Sequence, residues 1–289
     1  MSRREDQGYR TPAAFRRALD DRLKNRAKLD QVPFAELRRR YLLQCYLARV
    51  FSLPGENWVL KGGSGLAVRL PGARHTKDID LCHLHDAAEA DACIAQLRTA
   101  GEPSPRDPFV FTVVSQAPMT GRTGGYRLGV SCALGAQQYE SFTIDLALDL
   151  EFVGTIETIE RALPVEISDV QPPPPMRLYP LVDQVSDKVA AMYEQHAGNP
   201  STRYRDLVDL VLIAQSGAAL DSATLVAALR LQEHRRGFML PAQLVSPAPA
   251  WTAGYRAEAG RARTAIATDL DAGLAIAGEL VNPALAMLR

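Results

Sequence analysis

The sequence predicts an α+β protein, in which a mixed β-sheet with flanking helices is followed by a helical C-terminal lobe. Strand-like segments lie between residues 58 and 167, with amphipathic helical segments before and among them. After a proline run at residues 172–175, the apolar periodicity is only helical. A content of 47% hydrophobic and 23% charged residues in 289 is typical of a globular protein with an ample core. The predicted domains are residues 1–54, 55–170 and 176–289.

The first predicted domain consists of basic helices, at residues 11–29 and 33–53. Thr11 and Pro12 form a suitable N-cap and first helical position. Residues 1–50 contain 13 Lys or Arg against 6 Asp or Glu, although the formal net charge of the whole chain is zero. This excess suits a polyanionic partner such as RNA, and it fits an ordinary solvated helix surface equally well.

The second predicted domain alternates short strands and helices. Residues 58–60 form a strand, residues 64–70 a helix and residues 77–82 a strand; residues 87–100 form a helix that ends at Gly101. Alternating or β-branched apolar runs predict strands at residues 109–115, 126–134 and 140–150, and a further one at residues 163–167. The segment Gln-Pro-Pro-Pro-Pro at residues 171–175 then marks a rigid linker. The last domain has helices at residues 181–196, 203–215 and 222–232, and two more within residues 251–288.

A pair of acids carries the first chemical signal, in the segment KDIDL. Asp78 and Asp80 alternate with Ile79 and Leu81 at strand period, so both carboxylates lie on one face, about 7 Å apart along the strand. Two such carboxylates repel each other unless a cation lies between them. Oxygen ligands of this kind suit Mg²⁺, or Mn²⁺ in its place. Asp78 and Asp80 are therefore the predicted metal ligands.

A glycine-rich turn precedes the acids and consists of Lys61, Gly62, Gly63 and Ser64. The glycines let backbone N–H groups at a helix N-terminus approach phosphate oxygens, and the serine adds a hydroxyl. A Walker-type loop is not indicated, because the lysine precedes the glycines and no Gly-Lys-Ser or Gly-Lys-Thr follows. Gly-Gly-Ser followed after thirteen residues by Asp-x-Asp matches the nucleotidyltransferase signature of the polymerase-β superfamily. The segment therefore predicts a site for a metal-bound nucleoside triphosphate.

Other acids and histidines extend this prediction. Asp145 in the apolar strand FTIDL costs several kcal/mol if buried alone, so it is a candidate third metal ligand or general base. Asp149 is a rival for that place, and an arginine holding Asp145 is the structural alternative. His75, His83 and His85 flank the acid pair, but Mg²⁺ prefers oxygen, so they are not expected to be ligands.

The helical half supplies a lysine and several charged residues. Lys188 lies in an apolar helix and needs an anion, for which a triphosphate is suitable. Arg203, Arg205, Asp206 and Asp209 lie on the first turns of the next helix. Asp206 is expected to hold Lys188 or Arg203 in place, or to assist the metals, while Arg203 adds positive charge for the phosphates. The structural alternative is an interhelical salt bridge between Lys188 and Asp206.

These motifs together resemble a toxin family. LKGGSGLAVR with RHTKDIDL, then FTIDLAL, QVSDKVAAMYE and STRYRDLVDLVLI, over about residues 56–215, are similar to the four motifs of AbiEii/AbiGii nucleotidyltransferase toxins. The resemblance implies a polymerase-β-like nucleotidyltransferase fold. It also implies roles for the residues that match the motifs: Gly63 and Ser64 bind phosphate, Asp78 and Asp80 bind metal, and Lys188 and Asp206 are essential.

The resemblance further implies a function. MenT-like members of the family add nucleotides, preferentially pyrimidines, to the 3′ end of tRNA and block aminoacylation. The expected protein is thus a monomeric toxin that takes a nucleoside triphosphate, CTP first, acts on the tRNA acceptor end and is neutralised by a cognate antitoxin. The alternatives are transfer to a small-molecule or protein hydroxyl, and a non-catalytic nucleotide- or partner-binding module. The repelling acid pair argues against the latter.

Thr76 is a candidate regulatory position. A phosphate there would add about −1.5 to −2 units of charge beside the acid pair. In the resembled family, some antitoxins are thought to phosphorylate a Ser or Thr at this place. The alternative is a threonine hydroxyl that bonds its own turn.

The remaining expectations concern location and cysteines. No apolar stretch of about 18 residues and no apolar signal core occurs, so the protein is expected in the cytoplasm and without a membrane partner. Cys45, Cys82, Cys93 and Cys132 lack metal-ligand spacing and are expected to be buried small hydrophobes.

Overall fold

A computed structural model describes residues 8–70, 72–73, 76–84, 90–119, 124–148, 150–195 and 197–289. Seven strands and nine helices are found in this part of the chain, so the predicted α+β class is confirmed. The helices are α1 (Pro12–Leu29), α2 (Phe34–Val50), α3 (Gly62–Arg69), α4 (Ala90–Gly101), α5 (Leu181–Tyr193), α6 (Tyr204–Gln215), α7 (Ser222–Arg236), α8 (Trp251–Ala259) and α9 (Leu270–Ala286). The strands are β1 (Trp58–Leu60), β2 (Asp78–His83), β3 (Phe109–Pro118), β4 (Gly125–Leu134), β5 (Gln137–Ala147), β6 (Glu157–Ile159) and β7 (Met176–Leu178).

The chain forms two compact units, each built from segments that are distant in sequence. The sheet unit comprises Met1–Leu60, His75–Leu150 and Thr158–Arg177. The helical unit comprises Lys61–Arg74, Glu151–Glu157 and Leu178–Arg289. The carboxylate strand β2 therefore belongs to the sheet unit, whereas α3 with the glycine-rich turn belongs to the helical unit. The predicted domain boundaries follow chain order and stay a prediction.

The mixed sheet has the strand order β3-β4-β5-β2-β1-β7-β6. β2 runs parallel to β5 and antiparallel to β1, while β4 is antiparallel to both β3 and β5. Ile79 and Leu81 of β2 are register partners of Ile144 and Leu146 of β5, and all four side chains are fully buried. One face of the central strands therefore forms core, and the alternate positions are available for polar side chains.

Helices α1 and α2 supply much of the core of the sheet unit. Thr11 caps α1 by accepting a hydrogen bond from the backbone N–H of Ala14 at 3.1 Å. The Phe15 ring packs edge-on against Phe109, with their centroids 5.8 Å apart. Tyr46 of α2 is fully buried and packs against aromatic rings of β3 and β5. The predicted helix at residues 11–29 thus covers the sheet with its apolar face.

One arginine of the basic N-terminal segment is buried rather than exposed. Arg49 donates to both carboxylate oxygens of Asp107, at 2.5 and 2.9 Å, and to the backbone carbonyl of Phe109 at 2.6 Å. Both side chains of the ion pair are about 3% exposed or less. Arg49 therefore stabilises the turn before β3 and does not belong to a surface for a polyanion.

The helical unit has an aliphatic and aromatic core centred on Trp251 and Tyr255, both fully buried. Leu66 of α3 is buried in the same core. Helix α7 begins after Asp221, whose carboxylate accepts from the backbone N–H of Thr224 at 2.8 Å. It ends at Gly237, whose φ of 69° favours glycine. The two helices predicted within residues 251–288 are α8 and α9.

The strands after β5 differ from the sequence predictions. The strand predicted at residues 163–167 is wrong, because this segment forms no strand. Pro164 lies within it and lacks the backbone N–H that a sheet ladder needs. Short strands are instead formed by β6 and by β7, which follows the prolines directly.

The expectation for the cysteines agrees with the structure. The four cysteines are all buried and free. No helix in the described ranges is long and apolar enough to cross a membrane.

Candidate active site

The acid cluster of the sheet unit is set by strand register. Asp80 of β2 and Asp145 of β5 are register partners in a parallel pair, so their strands place them side by side, about 4.8 Å apart. Asp78 is the partner of Thr143, whose hydroxyl donates a short hydrogen bond to Asp78 Oδ1. Along β2 the acids are exposed or half-buried, whereas Ile79 is fully buried. Three carboxylates therefore occupy one region of the polar face.

Arg127 is the charged partner of this cluster, and the sequence did not single it out. It lies opposite Asp145 in the antiparallel pair of β4 and β5. Its Nε donates to Asp145 Oδ1 at 2.7 Å and a terminal nitrogen donates to Oδ2 at 2.6 Å. These hydrogen bonds and the charge of Asp145, with Asp78 and Asp80 adding to them, hold the Arg127 pKa above its ordinary value. The alternative in which an arginine holds Asp145 is thus what the structure contains.

The donor set of the cluster fits a hard divalent ion. All three side chains offer carboxylate oxygens, and Mg²⁺ is typically held by one or two carboxylates, with waters and substrate phosphates completing its shell. Within the described residues, no three His, Cys, Asp or Glu side chains converge on a common metal position. Asp78 and Asp80 thus fit an ion that substrate oxygens complete, whereas Asp145 is held by Arg127.

The histidines near the acids do not extend the cluster where they can be located. His83 is 2% exposed and its ring lies 4.7 Å from that of Trp58. It shares the strand phase of Ile79, which is opposite to that of the acids. His75, His85 and the rival acid Asp149 lie outside the described residues.

The glycine-rich turn begins α3 in the helical unit, two residues earlier than predicted. Gly62 has a φ of 56°, a left-handed conformation that favours glycine. The buried Ser64 donates its hydroxyl to the backbone carbonyl of Lys61 at 3.0 Å. Gln184 of α5 is 3% exposed and donates its side-chain amide to the Gly62 carbonyl at 2.6 Å. The backbone of the turn is therefore held by the buried side chain of Gln184, which the sequence did not single out.

A buried ionic cluster joins α5 to α6 in the same unit. The Lys188 ammonium lies 3.1 Å from Asp206 Oδ1 and 2.6 Å from Asp209 Oδ2, and all three side chains are at most 7% exposed. The Arg203 guanidinium, whose side chain is 62% exposed, contacts the other oxygen of Asp206 at 2.7 Å. The predicted ion pair between Lys188 and Asp206 is therefore present. Asp209 is a second partner, and its i, i+3 spacing from Asp206 on a helix could have indicated it.

The charges of this cluster are balanced, with two cations and two carboxylates. Burial raises the pKa of Asp206, but the charges and hydrogen bonds of Lys188 and Arg203 outweigh it, so the pKa is below the ordinary value. Gln184 and Lys188 are four residues apart on α5 and share a helix face. One helix face thus supports both the glycine-rich turn and the acids of α6.

Comparisons with known proteins agree with this architecture. The sequence matches the family model described as nucleotidyl transferase AbiEii toxin, type IV TA system, over residues 45–275. The fold is similar to that of a putative nucleotidyltransferase from Helicobacter pylori, with a TM-score of 0.50, 16% identity, and 89% of this chain and 99% of that chain covered. It is also similar to MenT4, a nucleotidyltransferase toxin from Mycobacterium tuberculosis, with a TM-score of 0.54, 17% identity, and coverage of 92% and 99%. No curated protein sequence matches the chain.

The two kinds of similarity carry different weight. At identities below a fifth, the solved structures show the fold alone. The family model covers well over half of the chain and includes the glycine-rich turn, the Asp-x-Asp strand and the motifs of α5 and α6. The chain therefore belongs to the AbiEii family of nucleotidyltransferase toxins of type IV toxin–antitoxin systems.

Proposed function

We propose that this toxin transfers a nucleoside monophosphate from a pyrimidine triphosphate, CTP first, to the 3′ end of tRNA, and so blocks aminoacylation and translation. The observation that carries the proposal is the register pairing of Asp80 with Asp145, beside Asp78 on the same strand as Asp80. Carboxylates brought together in this way suit cation-dependent transfer at phosphorus. The family membership supplies the toxin and nucleotidyltransferase classes, and the choice of nucleotide and acceptor is our inference.

In this mechanism, the tRNA 3′-oxygen attacks the α-phosphorus of the triphosphate, and the bond to pyrophosphate breaks. Asp78 and Asp80 would hold Mg²⁺, or Mn²⁺, which would supply charge stabilisation for the attacking and leaving oxygens. Asp145, once released by Arg127, accepts the proton of the attacking 3′-hydroxyl or becomes a third ligand.

The helical unit supplies the residues proposed to bind the triphosphate. The backbone N–H groups of Gly62 and Gly63 and the Ser64 hydroxyl lie at the start of α3, where phosphate oxygens are favoured. Lys61, at the N-cap of α3, adds a positive charge to this turn. These groups are proposed to bind and orient the phosphates.

The buried cluster is proposed to present a second cation to the phosphates. Lys188 is engaged with two carboxylates, so its own ammonium is committed to Asp206 and Asp209. Arg203 is more exposed, and its planar fork suits phosphate recognition. We therefore assign Lys188 and Asp206 the task of holding Arg203 in position, in addition to the essential roles that the family motifs imply.

The test combines the purified protein with each of the four α-labelled nucleoside triphosphates, total tRNA and Mg²⁺. The expected result is labelled tRNA with CTP, no label without the divalent ion, and no label on tRNA whose 3′ end has been oxidised by periodate. Asp80→Asn should abolish labelling while the fold persists, because it removes one of two repelling acids. Asp91→Asn, at an exposed acid in the first turn of α4, is the matched control and should keep full activity.

Labelling of the protein itself, or of a small molecule when a cell extract replaces the tRNA, with tRNA left unlabelled, would contradict the tRNA assignment. It would indicate transfer to a protein or small-molecule hydroxyl instead. Binding of nucleotide without any transfer in the presence of Mg²⁺ or Mn²⁺ would favour a non-catalytic binding module.

A further inference from the structure

Arg127, Asp145 and Asp80 lie in register across three adjacent strands. Arg127 of β4 is opposite Asp145 of β5, and Asp145 is in turn the partner of Asp80 on β2. The alternation of strand side chains places all three on one face of the sheet. A positive charge is therefore built into the row that contains the proposed cation ligands.

The arginine fork engages both oxygens of Asp145. The two hydrogen bonds are 2.6 and 2.7 Å long and form a bidentate pair, the arrangement that matches a guanidinium to a carboxylate. The Arg127 side chain is nevertheless 61% exposed, and that of Asp145 is 22% exposed. An ion pair this exposed to water contributes little to folding, so opening it does not threaten the fold.

We propose that Arg127 is a positioning residue that competes with the divalent cation for Asp145. The guanidinium and a doubly charged ion repel each other strongly at such short separations, so Asp145 joins the cation site only when the arginine turns away. The phosphates of the incoming nucleotide offer the guanidinium an alternative bidentate partner. This inference rests on the proposed function of Asp78 and Asp80 as a cation site. It identifies Arg127 as the residue that controls whether Asp145 is available to the cation.

The experiment measures Mn²⁺ binding to the full-length protein, without nucleotide or RNA, by the electron paramagnetic resonance signal of free Mn²⁺. The wild type is compared with Arg127→Gln, Asp145→Asn and the double variant. Competition predicts that Arg127→Gln tightens Mn²⁺ binding about tenfold, and that this gain falls to about twofold or less when Asp145 is already Asn. Arg98→Gln is the charge-matched control: this exposed arginine of α4 donates to Gln116 at 3.2 Å, and its loss should leave Mn²⁺ affinity unchanged.

A second variant separates the fork from the charge. Arg127→Lys keeps the positive charge but cannot make the planar bidentate contact, so we expect a smaller tightening than with glutamine. A thermal melt of each variant checks that the fold is retained. We expect this result because the Arg127 side chain is largely exposed.

The outcomes separate the inference from the function on which it rests. If the wild type binds Mn²⁺ and Arg127→Gln leaves the affinity unchanged or weakens it, the competition is wrong while the cation site stands. If Arg127→Gln tightens binding equally in the Asp145→Asn background, the arginine acts only through long-range charge and the inference is overturned. If neither the wild type nor Arg127→Gln binds Mn²⁺, both the cation site and the competition are overturned.

Discussion

Lys188 lies between two buried carboxylates. Replacing it alone by alanine or methionine would therefore change stability and activity together, and would not separate its role in folding from its role in transfer. Lys188→Met leaves Asp206 and Asp209 buried with only Arg203 to compensate, so we expect the free energy of unfolding to fall by about 3–5 kcal/mol. In Lys188→Met with Asp209→Leu, Asp206 keeps its arginine and most of this loss should be recovered. Urea unfolding measures both changes, beside the transfer assay.

The double variant tells whether Lys188 matters only for folding. We expect it to be stable and inactive. Without Lys188, the carboxylate of Asp206 is no longer held from α5, so Arg203 is no longer positioned for the proposed phosphate contact. A stable double variant with full transfer would show that the lysine serves folding alone. A double variant as unstable as the single one would contradict the pairing of Lys188 with Asp209.

The ionic cluster around Asp206 makes the stability of the folded protein depend on pH. Since the pKa of Asp206 in the folded protein is below its ordinary value of about 3.9, its contribution to stability is fully present above that value and is lost as the pH falls through the lower folded value. The difference in unfolding free energy between wild type and Asp206→Asn should therefore be constant near neutral pH and shrink below about pH 4. A difference that grows on acidification would contradict the lowered pKa.

Thr76 offers a regulatory test beside the acids. Its hydroxyl donates to the backbone carbonyl of Asp78 at 3.0 Å, so the local turn contact expected as the alternative is present. Phosphorylation remains our prediction, because a phosphate here would place about −1.5 to −2 charges next to Asp78 and repel the triphosphate. Co-expression with the product of the neighbouring gene should add one phosphate by intact mass and silence transfer, and Thr76→Ala should block the addition. A neutralised protein of unchanged mass would mean that the antitoxin acts by another route.

The sequence pattern indicated candidate residues and the pair of Lys188 with Asp206, but not the partners that strand register and helix packing bring to Asp145 and Gly62. Asp78, Asp80 and Ser64 stand in a local pattern whose period and order predict the chemistry. Arg127 and Gln184 act on residues that are distant in sequence, and only strand register and helix packing bring them there. Such partners leave no periodic signal in the sequence. An arginine that holds Asp145 could therefore be expected, but its identity as Arg127 could not be predicted.

Among the secondary-structure elements, length and neighbouring motifs decided what could be predicted: β1 has only three residues, but its apolar run directly before the glycine-rich turn indicated it. The helix at residues 11–29 has an N-cap, a proline at its start and several apolar repeats, and the structure has α1 at Pro12–Leu29. β6 and β7 have three residues each, too few for a period of two to be recognised. The β-branched residues at 163–167 attracted the strand prediction instead, although Pro164 argues against it.

Helix α5 links the glycine-rich turn to the buried cluster through one face, and Gln184 is the test of that link. Gln184→Leu keeps the approximate size but removes the donor to the Gly62 carbonyl. We expect a loss of about 1 kcal/mol in nucleotide binding, or roughly a fivefold weaker affinity, with kcat at saturating nucleotide little changed. Gln232→Leu, at a buried glutamine of α7 that accepts from Arg236 at 2.9 Å, is the control and should leave nucleotide affinity unchanged. Equal nucleotide affinities for Gln184→Leu and wild type would show that the turn does not need this contact.

At the scale of the whole molecule, the net charge of zero conceals an uneven distribution. The basic excess of the N-terminal segment is partly neutralised: Arg38 and Arg39 share Glu140, and Arg26 pairs with Asp30. Within the described residues, the exposed face of α1 opposite its buried residues offers cations to a partner, because Arg17, Lys24 and Lys28 recur there at helical spacing. Lys24 contacts Asp21 at 3.9 Å, and its ammonium lies 5.7 Å from the centroid of the Phe34 ring; at an exposed site both contacts are weak.

This face of α1 is our predicted contact for the RNA backbone, and salt dependence is its measure. Each cation that neutralises a phosphate releases counterions, so replacing Arg17, Lys24 and Lys28 by Gln should lower the slope of log affinity against log salt by about 2 to 3. Transfer at saturating tRNA should be unchanged, because these residues are not proposed to touch the triphosphate. The matched control replaces Arg230, Arg256 and Arg261, three exposed arginines of the helical unit, by Gln. If the control lowers the slope and the α1 variant does not, the basic N-terminal helix is only a solvated surface, and the RNA contact lies on the helical unit.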